Sequence, residues 1–148
     1  MTTLWTKRLV RGDLTAARDM FAMMAAVFAE DAEPLTDDYL VWLLDRDSFW
    51  AIAAFVGDDV VGGITAHTLP MTRSPSSEVF IYDLAVRQDH QRQGVGSRLV
   101  FELREAAAAA GFGEVFVPAD NEDKHALDFY RAQGAAASPV TFFTFPVR

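Results

Sequence analysis

Val79-Phe80-Ile81-Tyr82-Asp83-Leu84-Ala85-Val86 is followed, after four intervening residues, by Gln91-Arg92-Gln93-Gly94-Val95-Gly96-Ser97. The first stretch is apolar and β-rich and reads as a strand; the second is a glycine turn opening the Ala-rich helical segment 97–110. A strand that feeds a glycine turn at the head of a helix suits a chain that must wrap backbone amides around a phosphate. The first amides of a helix lack intrahelical partners and carry the positive end of the helix dipole. Gly94 and Gly96 have no Cβ, so a pyrophosphate can lie against the backbone itself, and Ser97 in the first turn adds a hydroxyl. The lysine of a P-loop is absent, as are the third glycine and the early N-terminal strand–helix setting of a dinucleotide fold. A phosphorylated cofactor of another kind is the expectation, and the alternative for the glycine pair alone is a tight strand–helix turn.

Joined to its flanks, Gln91-x-x-Gly94-x-Gly96 behind Asp83-Leu84-Ala85-Val86 resembles the acetyl-CoA-binding motif of the GNAT N-acetyltransferase superfamily. A second element follows in the order that resemblance requires. Glu114-Val115-Phe116-Val117 reads as a short buried strand and residues 124–133 as a helix closed by Gly134. Its segment Ala126-Leu127-Asp128-Phe129-Tyr130-Arg131-Ala132-Gln133 resembles the GNAT helix whose tyrosine faces the thioester sulfur.

The rest of the chain has an α/β order. Residues 4–10 read as a strand; Asp13 is placed to cap a helix to about residue 29 and Thr36 a second over 37–44. Segments 49–56 and 60–68 flank Gly57-Asp58-Asp59, a hairpin turn, and 141–147 reads as a final strand. The fold implied by the resemblance is an α/β GNAT fold: a mixed, mostly antiparallel twisted sheet of six to seven strands with helices on both faces. At 148 residues, 51% hydrophobic and without repeats or low-complexity linkers, the chain is expected to be a single domain over residues 1–148.

The absence of cysteine excludes disulfides, thiolate metal sites and a cysteine nucleophile. His67, His90 and His125 are too widely spaced to suggest a metal site, and there is no Gly-x-Ser-x-Gly elbow. A net charge of −8 argues against nucleic acid and is compatible with a cationic small molecule. The start of the chain lacks a signal-peptide layout and the longest apolar run, 20–29, is too short for a bilayer, so a cytoplasmic protein with no membrane partner is expected.

Over nearly its whole length the chain resembles, more closely than the superfamily at large, the aminoglycoside 3-N-acetyltransferases of the gentamicin type. The residues that carry this are Phe49-Trp50-Ala51-Ile52-Ala53-Ala54-Phe55, Val60-Val61-Gly62-Gly63, Leu69-Pro70, Ser77-Glu78-Val79-Phe80-Ile81-Tyr82-Asp83-Leu84-Ala85-Val86, and Ala119-Asp120 ahead of Tyr130. The chain departs from the group's pattern at Asn121, Lys124 and His125 and in a shorter segment 28–38. The resemblance implies direct transfer of acetyl from acetyl-CoA to an amine, without a metal. The amine is the 3-amino group of an aminoglycoside, or else that of a polyamine, an amino sugar or a peptide; a non-catalytic acyl-CoA sensor is the alternative outside enzymes. A homodimer is also implied.

Residue by residue, the same resemblance makes Leu84, Ala85 and Val86 a strand that splays from its neighbour and aims N–H groups at the thioester and pantetheine arm. Gln91, Arg92, Gln93, Gly94, Val95, Gly96, Ser97 and Phe129 complete the cofactor-binding set. Tyr130, a phenol with pKa near ~10, is the acid for the leaving thiolate, the alternative being a buried packing tyrosine. Asp83 orients or deprotonates the amine, or else satisfies loop amides. Glu78, five residues earlier, falls on the opposite strand face by parity and joins Asp83, Asp120 and Asp123 as substrate-binding carboxylates. Glu30, Asp31, Glu33, Asp37 and Asp38 form either the wall of a cation pocket or, for Asp37 and Asp38, a favourable first helical turn.

Overall fold

The computed structural model describes residues 3–147. The chain divides into two compact units, one ending at Pro118 and the other beginning at Ala119. The first unit holds β1 (Leu4–Arg8), α1 (Leu14–Val27), α2 (Asp37–Leu44), β2 (Phe49–Val56), β3 (Asp59–Pro70), β4 (Ser77–Val86), α3 (Val95–Ala109) and β5 (Glu114–Phe116). The second holds α4 (Lys124–Ala132).

Among the described residues the sheet has five strands in the order β1-β2-β3-β4-β5. The first four form an antiparallel meander; β5 pairs parallel to β4, which requires the crossover that α3 provides. β2 is buried at every position except Val56, because both faces of the sheet are covered, and its sequence is accordingly a continuous apolar run.

Two adjacent glycines of β3 show how closely the helices approach. A Cβ built on Gly63 would lie 2.6 Å from Met20 of α1, whereas one built on Gly62 would lie 2.8 Å from Val95 Cγ1 of α3. Neighbouring residues of a strand point to opposite faces, so α1 and α3 cover opposite sides of the sheet. On the α1 side, Ala17, Met20 and Met24 pack with Leu40, Leu44, Phe49, Ala51, Ala53, Phe55 and Ala85. On the other, α3 buries Val95, Leu99, Val100, Leu103 and Ala107, a stripe at helical spacing.

Several local expectations hold and others change. Thr36 Oγ1 accepts from Tyr39 N at 3.1 Å, the expected cap of α2. Asp13 stands at the N-cap of α1 but turns its carboxylate backwards, accepting from Lys7 Nζ at 2.7 Å and Val10 N at 2.8 Å, so no side-chain cap bond forms. Gly57, at φ +60°, makes the hairpin turn. The expected strand over 141–147 does not form, which is why the sheet has five strands instead of six to seven. Its residues have strand composition, but composition alone does not make a strand, which exists only when an edge pairs with it.

Candidate active site

β4 is where the sheet becomes irregular. Its parallel ladder with β5 ends at Phe80 opposite Phe116, yet β4 continues to Val86, paired from Asp83 onward only with Thr65, Ile64, Gly63 and Gly62 of β3. The sequence accounts for the stop: Pro118, two residues past β5, has no N–H to extend a ladder. One edge of β4 beside Leu84, Ala85 and Val86 is therefore left without a strand partner among the described residues.

A bulge lies in the same stretch. Ala66 faces Ile81 and the next residue of β3, Thr65, faces Asp83, so Tyr82 is an extra residue without a counterpart. This inverts the parity expected for Glu78. Directly paired residues share a face, and Glu78, Phe80 and Asp83 lie opposite Leu69, His67 and Thr65, which alternate along one face of β3. Glu78 and Asp83 therefore stand on the same face, the one covered by α1, and not on opposite faces.

On that face Asp83 is half-buried, and burial, seconded by the negative charge of Glu30, pushes its carboxyl above the ordinary value. Glu30 reaches this position because α1 ends on Ala29 in the left-handed conformation, φ +54°, with Glu30 N donating back to Ala25 O at 3.0 Å. His67, its pKa lowered by burial, sits between Phe49 and Tyr82 with ring centroids 5.4 and 5.7 Å away. Phe49, His67, Phe80 and Phe116 form one row across four strands. In the sequence Glu30 stands only as one of an acidic string and His67 only as one of three widely spaced histidines; neither the bulge nor the helix end that brings them into play has a local sequence signal. Asp37, from the same string, opens α2 and pairs with Arg18 at 2.7 Å.

The glycine turn is built as the sequence suggests. Gly94 caps the 15-residue α3 in the left-handed conformation at φ +83°, with no side chain capping the helix, and Arg92 two residues before it also has a positive φ of 62°. Among the described residues nothing lies within 4 Å of where a Gly94 Cβ would be, so the backbone at Gly94 is open to a close approach. Gln91 Nε2 donates to Val86 O at 2.9 Å, tying the turn to the end of β4. Upstream, Arg87 grips Asp89 with two bonds of 2.8 and 3.0 Å, and this pairing, with His90, holds the Asp89 carboxyl far below the ordinary range. The turn thus places positive helix-end amides next to the open edge of β4, a setting that fits a pyrophosphate-bearing cofactor with an extended arm. Among the described residues no group of His, Asp or Glu is placed to hold a metal ion.

The second unit presents Phe129 and Tyr130 together on α4, their rings edge to face at 5.2 Å. Gly134, φ +91°, and the bond from Ala135 N to Tyr130 O at 3.1 Å close that helix. Asp123 caps it by accepting from Ala126 N at 3.1 Å, and Asp120 Oδ1 accepts from Glu122 N at 2.9 Å. Both carboxylates are engaged in shaping the approach to α4.

Residues 15–135 match the acetyltransferase (GNAT) family. The chain belongs to the GNAT acetyltransferase family. The match runs through β4, the glycine turn and α4 alike. Among solved structures, this acetyltransferase is similar to an aminoglycoside acetyltransferase from an uncultured soil metagenomic sample, crystallised with sisomicin: 33% identity over 98% of this chain and 97% of that one, TM-score 0.94. A second aminoglycoside acetyltransferase from an uncultured soil sample has 30% identity over 99% of both chains, TM-score 0.94. A 6′-type aminoglycoside acetyltransferase bound to a bisubstrate analogue of CoA has 15% identity over 99% of this chain and all of that one, TM-score 0.81, a likeness of fold alone. No curated protein sequence matches the chain. Among the described residues, no helix of the acetyltransferase is long and apolar enough to cross a membrane.

Proposed function

We propose that this acetyltransferase moves the acetyl group of acetyl-CoA directly onto an amine of a cationic small molecule, the 3-amino group of an aminoglycoside, as a single-domain cytoplasmic homodimer. The observation that carries this is the pairing, in one place, of an open-edged, bulged β4 with the uncapped head of α3 behind Gly94. The choice of acceptor is supported by the 33% identity with a relative crystallised with sisomicin.

Bound acetyl-CoA supplies an activated thioester carbonyl. Gly94, Val95, Gly96 and Ser97 hold its pyrophosphate by backbone amides at the positive end of α3, with Arg92 and Gln93 flanking. Backbone N–H groups along Leu84, Ala85 and Val86 serve the pantetheine arm and the carbonyl oxygen, where preorganised donors contribute most to acyl transfer. Asp83, its carboxyl raised by burial, draws the ammonium in and accepts its proton, and Glu78 and Glu30 add negative charge toward a polycation. Asp120 and Asp123 offer the carboxylate lone pairs not used in the α4 turn. By the family resemblance, Tyr130 would give its phenolic proton to the departing sulfur, and Phe129 would belong to the cofactor-binding set.

The test is thiol release from acetyl-CoA with gentamicin, sisomicin, apramycin, spermidine and a peptide amine as acceptors, with fragmentation mass spectrometry locating the acetyl group. Rapid release with gentamicin and sisomicin and an acetyl on the 3-amino nitrogen is expected. Release with spermidine or the peptide alone overturns the acceptor. Tight acetyl-CoA binding with no release on any amine overturns catalysis in favour of an acyl-CoA sensor.

A further inference from the structure

One polar side chain beside Asp83 has no role in the reaction described above. His67 lies on the α1 face of β3, between Thr65 and Leu69. Thr65 pairs with Asp83 and Leu69 with Glu78, so the two carboxylates of β4 on this face stand on either side of His67, each across the strand pair and one step along. Such diagonal neighbours are about 7–8 Å apart, a gap that one small ligand bridges.

The imidazole is held in place by rings. Phe49 stands beside it on β2 at 5.4 Å and is itself buried against Phe21 of α1 at 6.5 Å, so that wall is fixed from behind. Tyr82 meets it edge to face at 5.7 Å, and the bulge that turns Asp83 to this face thereby supplies the second wall. Within the unit ending at Pro118 no group hydrogen-bonds the ring nitrogens of His67, and both nitrogens are open. A carboxylate takes an ammonium group by charge, whereas an uncharged imidazole offers one donor and one acceptor, the complement of a hydroxyl. Burial lowers the pKa of His67, which favours the uncharged ring over one that would repel a polycation.

We infer that His67 hydrogen-bonds a hydroxyl of the acceptor and thereby selects polyhydroxylated amines over linear polyamines. This role rests on the acceptor reading proposed above and adds the group that tells one class of cationic amine from another. Sisomicin and spermidine both carry several ammonium groups, and Glu78 and Asp83 attract either; only sisomicin has hydroxyls for the imidazole to recognise. A polar group placed to pair with a substrate hydroxyl discriminates against the amine that lacks one.

Binding and turnover test this separately. The chain has 3 histidines, so its imidazole nitrogen NMR spectrum holds a set of signals for each, and the set missing from His67→Phe belongs to His67. Should His67→Phe not fold, His67→Gln assigns the set instead. In the parent protein with acetyl-CoA present, sisomicin is expected to shift the His67 set saturably and spermidine to shift it much less. His67→Phe keeps a ring and loses both nitrogens; it is expected to raise KM for sisomicin about three- to tenfold, the worth of one neutral hydrogen bond, with kcat changed less and acetyl-CoA affinity retained. His67→Gln, whose amide carries a donor and an acceptor, is expected to recover part of that loss. A His67 set unmoved while calorimetry shows sisomicin bound, or a KM raised equally for sisomicin and spermidine, overturns this role and leaves the acceptor reading standing. Weakened acetyl-CoA binding in both variants assigns His67 to packing and overturns it as well. Sisomicin that does not bind overturns the acceptor and the role of His67 together. A shifted His67 set without thiol release supports the role of His67 and overturns catalysis alone.

Discussion

Glu78 and Asp83, five residues apart in β4, stand on the same face of the sheet because Tyr82 is bulged out between them. The bulge brings Asp83 to the α1 side, where burial and Glu30 act on it, and coincides with the end of the β4–β5 ladder. The following consequences can be measured.

Asp83→Asn is expected to lower kcat/KM for the amine by roughly 10²-fold or more while leaving the affinity for acetyl-CoA unchanged, because it removes the proposed proton acceptor alone. Steady-state kinetics beside calorimetry separate the two; activity within a few-fold of the parent enzyme would remove Asp83 from the chemistry.

The same variant has a signature in stability. The folded pKa of Asp83 lies above its model-compound value of 3.8, so the folded protein holds this proton more tightly than the unfolded chain does. Stability from this group is therefore full below that value and is lost as pH rises through the raised pKa. Asp83→Asn is expected to raise Tm at pH 7 to 8, with the gain shrinking as pH falls toward 4. A gain that grows on acidification contradicts the assignment. Glu30→Gln, by removing a neighbouring negative charge, is expected to shift the acid limb of kcat/KM to lower pH.

Gly94→Val places a branched residue at φ +83°. A non-glycine residue there costs about 1–2 kcal/mol and distorts the amides at the head of α3, so acetyl-CoA affinity is expected to fall at least tenfold. Because no atom lies within 4 Å of the new Cβ, the loss comes from backbone strain and obstruction of the ligand, not from a clash inside the protein. Unchanged affinity by calorimetry would refute the phosphate-binding role.

Tyr130→Phe is expected to reduce kcat by about 10²-fold with acetyl-CoA affinity retained, since only the phenolic proton is lost. Full turnover in the variant assigns Tyr130 to packing.

Gly62→Ala sets a Cβ 2.8 Å from Val95 Cγ1 and 3.3 Å from Leu99 Cδ1, both on α3. Branched side chains on a packed helix yield little, and such overpacking costs about 1–3 kcal/mol. A lower Tm and weaker acetyl-CoA binding are expected together, because Val95 is the first residue of α3, the helix proposed to bind the cofactor. Gly63→Ala, which meets the flexible thioether of Met20, is expected to cost less.

What the chain determined by itself is local chemistry. Gly94 and Gly96 at the head of an apolar-striped helix, Thr36 before Asp37, Gly57 between two apolar runs and Gly134 after Tyr130 each specify a backbone event within a few residues, and each is in place. Such signals are legible because capping, left-handed turns and helix dipoles act over one turn. Tertiary structure alone decided the face of Glu78, since a bulge at Tyr82 reflects how β4 fits β3 and leaves no mark on alternation. It likewise decided that Glu30 acts on Asp83 across the gap from a helix end, that Gln91 ties a turn to Val86, and that Asp13 serves Lys7 instead of its own helix. Residues 140–147 make the same point: their strand composition is plain in the sequence, but a strand needs a neighbour, and whether there is one is a property of the assembled sheet and not of the segment.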